Sequence, residues 1–117
     1  MSGVLYGVGV GPGDPELLTR KAERIIRACE VVGIPAAEPA SCTAWQIAVQ
    51  AVPEMAQKEV VPVLVPMTMD KEKLDAAYDE GSRRLAEILR EGKSIAFLNL
   101  GDPAIYGTYM ELDRRIR

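Results

Sequence analysis

Val4-Leu5-Tyr6-Gly7-Val8-Gly9-Val10-Gly11-Pro12-Gly13-Asp14-Pro15-Glu16 is the stretch whose reading decides the fold. Its first seven residues form an apolar, β-branched run of strand length, and alternating glycines then open a turn. Asp14 is placed to cap a helix and Pro15 suits a first helical turn. The order is strand, loop, helix. The helix carries Leu18, Ala22, Ile25, Ile26 and Cys29 on one face, with Arg20, Lys21, Glu23, Arg24 and Arg27 elsewhere, the pattern of a helix lying on a sheet.

The same alternation continues outward. Val31 to Ile34 reads as a buried strand closed by Pro35, and a second helix is expected from Ser41, with Ala44, Ile47, Ala48 and Ala51 on one face and Pro53 as its stop. Trp45 falls off that face, which points to a subunit or domain contact. Val60 to Val65 reads as a third strand, with Pro62 where its missing N–H is not needed. From Asp70 to Glu91 runs a long amphipathic helix whose stripe is Leu74, Tyr78, Gly81, Leu85 and Ile88, with Gly92 as its C′ residue. Gly81 costs about 1 kcal/mol against alanine inside a helix, so its expected role is close approach of the backbone to a neighbour. Met67 and Met69 read as gap-filling core residues. Ser94 to Leu100 is a fourth buried strand, and Pro103 opens a helix carrying Ile105, Tyr109, Leu112 and Ile116.

Strands joined by helices predict an α/β fold: an open parallel sheet with helices on both faces. One domain, 1–117, is expected, cut before its last strand and before a second, carboxyl-terminal domain, because the final helix runs to Arg117 without a terminating signal.

Composition narrows the chemistry. Fourteen Lys and Arg against seventeen Asp and Glu leave a net charge of −3, with no basic run, which argues against a nucleic-acid partner. Histidine is absent, which removes imidazole as base, triad member or metal ligand; no metal site is expected. Cys29 and Cys42 lack CxxC spacing and read as reduced packing thiols. No apolar stretch approaches the ~20 residues of a membrane span, and the cytoplasm is the expected compartment.

Two turns carry the remaining information. Gly13-Asp14-Pro15 follows the first strand and Gly101-Asp102-Pro103 follows the fourth, each launching a helix. Neither GxGxxG nor GK[ST] is present, and Asp14 with Glu16 at a helix start would repel phosphate. In an open parallel sheet, ligands bind outside the carboxyl ends of the strands, at a switch point. Glycines there give a ligand access to the backbone, and Asp102 can accept hydrogen bonds from hydroxyls or an ammonium group. S-adenosylmethionine, with its sulfonium, ammonium and ribose hydroxyls and no phosphate, meets these constraints better than NAD or ATP.

Gly7 to Thr19 (GVGVGPGDPELLT) resembles the amino-terminal signature of the tetrapyrrole (corrin and porphyrin) methylases, and Leu100 to Tyr106 (LGDPAIY) resembles their second motif. Pro66 to Lys71 and Gly107 to Met110 resemble one branch, the precorrin-2 or cobalt-precorrin-2 C-20 methyltransferases of cobalamin synthesis. The resemblance implies a homodimeric, two-domain enzyme that transfers methyl from S-adenosylmethionine to a tetrapyrrole, precorrin-2 or cobalt-precorrin-2, with this chain as its amino-terminal domain, inactive by itself. Cofactor contacts carried over by motif fall on Pro12, Leu100, Gly101, Asp102 and Ile105, and Tyr106 is a candidate substrate contact. No catalytic side chain is assigned: where many relatives place Tyr-Asp-x-Leu after the second strand, this chain has Gly33-Ile34-Pro35-Ala36-Ala37. Two other classes stay open, a methylase of the same fold with another target and a non-enzymatic metabolite-binding domain.

Overall fold

The computed structural model describes residues 3–10, 20–64, 69–100 and 111–116, with the backbone alone for Asn99 and Leu100. Four strands, β1 (Leu5–Val10), β2 (Val31–Ile34), β3 (Glu59–Pro62) and β4 (Ile95–Leu100), form one parallel sheet in the order β1-β4-β2-β3. The helices are α1 (Arg20–Ala28), α2 (Thr43–Ala51) and α3 (Lys71–Arg90), followed by a helix over residues 111–116.

The connections from β1 to β2 and from β2 to β3 advance in one direction across this order, and the one from β3 to β4 returns. Right-handed crossovers running in opposite senses put their helices on opposite faces. The packing obeys this. Ala22 and Ile26 of α1 and Ala44, Ile47 and Ala48 of α2 share a core with Val8, Val10, Val32, Ile34, Ala96 and Leu98. Leu85 and Leu89 of α3 share the other core with Val31, Val61, Ile95, Phe97 and Leu112. Alternation along β4 feeds both layers, Ala96 and Leu98 to one and Ile95 and Phe97 to the other, as a strand buried on two faces must.

Local chemistry sets the helix ends. Asp70 caps α3, its carboxylate accepting from the backbone N–H of Glu72 at 3.0 Å and Lys73 at 3.4 Å, and Gly92 follows with φ 88° as the expected C′ residue. Lys58 reaches the end of α1, where its Nζ donates to the carbonyls of Cys29 at 2.6 Å and Arg27 at 3.2 Å. That places a cation at the negative end of the helix dipole. Gly81 does what its place in the stripe implied: a Cβ there would lie 2.7 Å from Val63 Cγ1 and 3.3 Å from Leu112 Cδ2.

Four expectations are corrected. The second helix starts at Thr43, not Ser41: residues Pro39–Ser41 make a 3-10 turn, and Cys42 caps α2, its Sγ accepting from the Trp45 N–H at 3.4 Å. Trp45 is only 9% exposed and belongs to the core, because α2 packs on neighbouring 3-10 turns as well as on the sheet, which widens its buried arc. The third strand ends at Pro62 instead of Val65. Val63 N–H still donates to Ile34 O at 2.8 Å, so the alternation turns the Pro62 nitrogen outward on an edge strand, where no donor is needed. Met69 is 99% exposed and fills no core; Met67 lies outside the described residues.

Among the described residues, no helix is long and apolar enough to cross a membrane, and no group of three or more His, Cys, Asp or Glu side chains could hold a metal ion.

Candidate functional site

The sheet brings the two strands that precede the glycine-aspartate-proline turns into direct contact. β1 pairs with β4 along its whole length, from Leu5 opposite Ile95 to Val10 opposite Leu100. Both strands thus finish at the same level and about 4.8 Å apart. The chain leaving β1 goes to α1 on one face of the sheet, and the chain leaving β4 goes to the 111–116 helix on the other. Adjacent parallel strands whose connections diverge in this way define a topological switch point, and β1 and β4 form this sheet's.

Of the residues assigned from sequence, Leu100 is described as the last residue of β4, opposite Val10. Pro12, Gly101, Asp102, Ile105 and Tyr106 lie outside the described residues. The strand ends that precede these turns are described: Val8, Val10 and Leu98 are buried on the α1 side, while on the other face of β1 Leu5 is followed by the exposed glycines Gly7 and Gly9. Beside this strand is a hollow of about 210 Å³ lined by Gly7, Val8, Gly9, Lys21, Ala22 and Ile25.

The helix over residues 111–116, which comes after the second turn in sequence, is anchored by charge. Arg115 of the 111–116 helix, its side chain 18% exposed, donates to Asp75 Oδ1 at 3.0 Å and Glu111 Oε1 at 2.7 Å, also pairs with Asp79, and lies 5.5 Å over the Tyr78 ring. With Leu112 buried against Gly81, this fixes the helix on α3. The Glu111 carboxyl is held down to about 2, first by the hydrogen bond from Arg114 and then by that from Arg115. A depressed carboxyl stabilises the fold above its ordinary value of 4.5, and the contribution is lost as pH falls from there toward 2. Glu111→Gln is therefore expected to flatten the acid limb of the stability profile between pH 4.5 and 2, read by urea unfolding at stepped pH. An unchanged limb would refute the assignment.

The two cysteines pack in the core. Both are free and buried, burial pushes the Cys29 thiol up to about 11, and burial likewise raises Cys42. They stay protonated near neutral pH and pack as expected.

Sequence reasoning missed three features: the Lys58 bonds at the end of α1, the Arg115 clamp, and a hollow of about 270 Å³ at the carboxyl end of β3. Only the last left a signal, Ala77 and Gly81 four residues apart on one helix, small side chains that leave room.

With this geometry in place, comparison with known proteins is decisive. Residues 4–117 match the family described as Tetrapyrrole (Corrin/Porphyrin) Methylases. The chain belongs to the tetrapyrrole methylases. It is 36% identical over 120 residues to "Cobalamin biosynthesis protein CobIJ" of Mycobacterium tuberculosis strain H37Rv, covering 97% of this chain and 24% of that protein. It is 35% identical over 130 residues to "Precorrin-2 C(20)-methyltransferase" of a Sinorhizobium species, covering 99% of this chain and 51% of that protein. Among solved structures, the uroporphyrin-III-C-methyltransferase of Thermus thermophilus superposes with a TM-score of 0.61 at 32% identity, over 99% of this chain and 44% of that one. The chain thus spans about half or less of the length of these tetrapyrrole methylases, and its four-stranded parallel sheet is of their kind.

Proposed function

We propose that this domain serves as the amino-terminal half of an S-adenosylmethionine-dependent methyltransferase of cobalamin biosynthesis, acting on C-20 of precorrin-2 or cobalt-precorrin-2. The observation that carries the reading is the Val10–Leu100 pairing at the switch point, which sets side by side the ends of the two strands that the motif turns follow. The names of relatives that match nearly all of the chain support the substrate, and the stretch Pro66 to Lys71 supports the position on the ring.

The residues fit this donor. β1 ends on Gly9 and Val10, and the turns that follow carry the carboxylates Asp14, Glu16 and Asp102 with neither Lys nor Arg, a composition suited to a cation with hydroxyls and unsuited to phosphate, although the hollow beside β1 adds one cation, Lys21. Pro12, Leu100, Gly101, Asp102 and Ile105 hold the cofactor in this proposal, and Tyr106 faces the tetrapyrrole. When bound, S-adenosylmethionine supplies a methyl group on a cationic sulfur that needs no protonation to leave. The chain's task is alignment, worth about 7–11 kcal/mol when two reactants are held in attack geometry. That task requires no histidine. The second domain, absent from residues 1–117, completes the cleft in a homodimer, and the domain alone is inactive.

The test is methyl transfer from labelled S-adenosylmethionine to precorrin-2 and cobalt-precorrin-2 by the two-domain protein that carries this chain. Label at C-20, located by NMR, is the expected result, with none incorporated by residues 1–117 alone. Label at another carbon would make this a different tetrapyrrole methylase, and no transfer to either substrate would overturn the proposal.

A further inference from the structure

The hollow at the carboxyl end of β3 is formed by Pro62, Val63 and Leu64, by Ala37 beyond β2, and by Ala77, Glu80, Gly81 and Arg84 of α3. It lies at the carboxyl end of the strands, as the switch point does, two strand positions from β4, or about 10 Å across at ~4.8 Å per strand. Its walls are apolar, and its rim carries one carboxylate and one guanidinium. Glu80 is already engaged in an ion pair with Arg83. Arg84 meets no carboxylate among the described residues: it is exposed, and its Nη1 donates to the Pro62 carbonyl at 3.3 Å. Leu64, 63% exposed, lines the rim, and Met69, 99% exposed, belongs to the same β3-to-α3 connection, so exposed apolar side chains accompany a cation that has no carboxylate partner among the described residues. A short aliphatic arm ending in a carboxylate matches this combination: its methylenes fill the apolar space and its charge meets the guanidinium.

Resting on the function proposed above, we infer that Arg84 is a substrate-positioning residue, receiving the carboxylate of one acetate or propionate arm on the rim of the tetrapyrrole, with the arm seated between β3 and α3. The macrocycle then spans the carboxyl edge from β3 toward the switch point. Such a contact fixes which edge of the ring faces the methyl donor, because the ring cannot rotate without pulling a carboxylate off Arg84. Ala77, with only a methyl group on this wall, leaves the space open.

The test is steady-state kinetics of the two-domain protein with precorrin-2. Arg84→Gln is expected to raise KM for precorrin-2 about tenfold, the loss of one charge-assisted hydrogen bond at a partly covered rim, with KM for S-adenosylmethionine unchanged. Arg84→Lys should recover part of the loss, since the charge returns without the planar fork. Ala77→Leu, which fills the hollow without touching the charge, should raise the same KM. Arg84 is exposed, so equal melting temperatures should accompany these kinetics. If the Arg84 variants leave KM for precorrin-2 at the parent value, or raise both KM values together, the subsite is overturned while the proposed function stands. If the parent protein methylates no tetrapyrrole, it is the function that fails.

Discussion

Replacing Phe97 by alanine is expected to lower the unfolding free energy by about 3–5 kcal/mol, the usual cost of deleting a buried aromatic ring. Phe97 lies in the middle of β4, is fully buried, and is the largest side chain of the core between the sheet and α3, where it packs with Val31, Val61, Val63, Leu85, Leu89, Ile95 and Leu112. The ring owes its place to Gly33 on the neighbouring strand. A Cβ at Gly33 would stand 2.6 Å from Phe97 Cδ2, closer than carbon atoms can pack, and 3.5 Å from Ile95 Cγ2. Alanine in a strand interior ordinarily gains about 0.5–1 kcal/mol over glycine. At Gly33 the overpacking term, about 1–3 kcal/mol, is larger, so Gly33→Ala should destabilise. The pair is coupled: Gly33→Ala with Phe97→Leu should cost less than the sum of the single changes, because a smaller side chain releases the clash that the methyl creates. Urea unfolding of the four proteins measures this cycle. Strict additivity would show that the sheet absorbs the methyl elsewhere.

The Gly33–Phe97 contact also marks the limit of what could be read from the chain. Periodicity located the four strands and α1 to α3 but neither 3-10 turn: Tyr78, Leu85 and Ile88 of the α3 stripe join the core beneath it, and Gly81 within it meets Val63 and Leu112 at close range, as a glycine in an apolar stripe implies. The parallel sheet followed from the alternation of strands and helices. Strand order did not, since nothing in β1 or β4 alone says that they pair; that came from the crossovers. Single side chains at element ends were the least legible. Trp45 sits at the margin of its helical stripe, and only the turns flanking α2 decide that the margin is covered. Met69 precedes the Asp70 cap, and a residue outside the helix has no periodicity to place it. Ser41 and Cys42 are adjacent candidates for one cap; the hydroxyl of Ser41 bonds the Glu38 carbonyl at 3.0 Å, which leaves the cap to the thiol. For the site, the motifs named the turns, while the pairing of Val10 with Leu100 supplied what spacing along a chain lacks, the adjacency of the two strands they follow. The hollow beside Arg84 joins residues from three segments, Ala37, Pro62 to Leu64 and Ala77 to Arg84, and no local pattern reports such a meeting.

Removing the carboxylate of Asp102 in the two-domain protein is expected to weaken S-adenosylmethionine binding by about 10- to 100-fold, the range of one lost charge-assisted hydrogen bond. Asp102 follows β4 by two residues in sequence, and β4 ends level with β1; in the proposed site this carboxylate favours a cationic ligand over an anionic one. Calorimetric titration of Asp102→Ala and Asp102→Asn separates the two ways a carboxylate can act. If it accepts from ribose hydroxyls, affinity falls for S-adenosylmethionine, S-adenosylhomocysteine and adenosine alike, and asparagine, which keeps one acceptor oxygen, recovers part of the loss. If it pairs with the ammonium group, adenosine is unaffected and asparagine recovers little. Asp102 precedes Pro103 at a helix start expected from sequence, so loss of a cap would lower the melting temperature by an amount matching about 1 kcal/mol while leaving ligand affinity alone. A variant that melts lower yet binds S-adenosylmethionine as tightly as the parent protein would reduce Asp102 to that structural role and remove the acidic half of the proposed cofactor site.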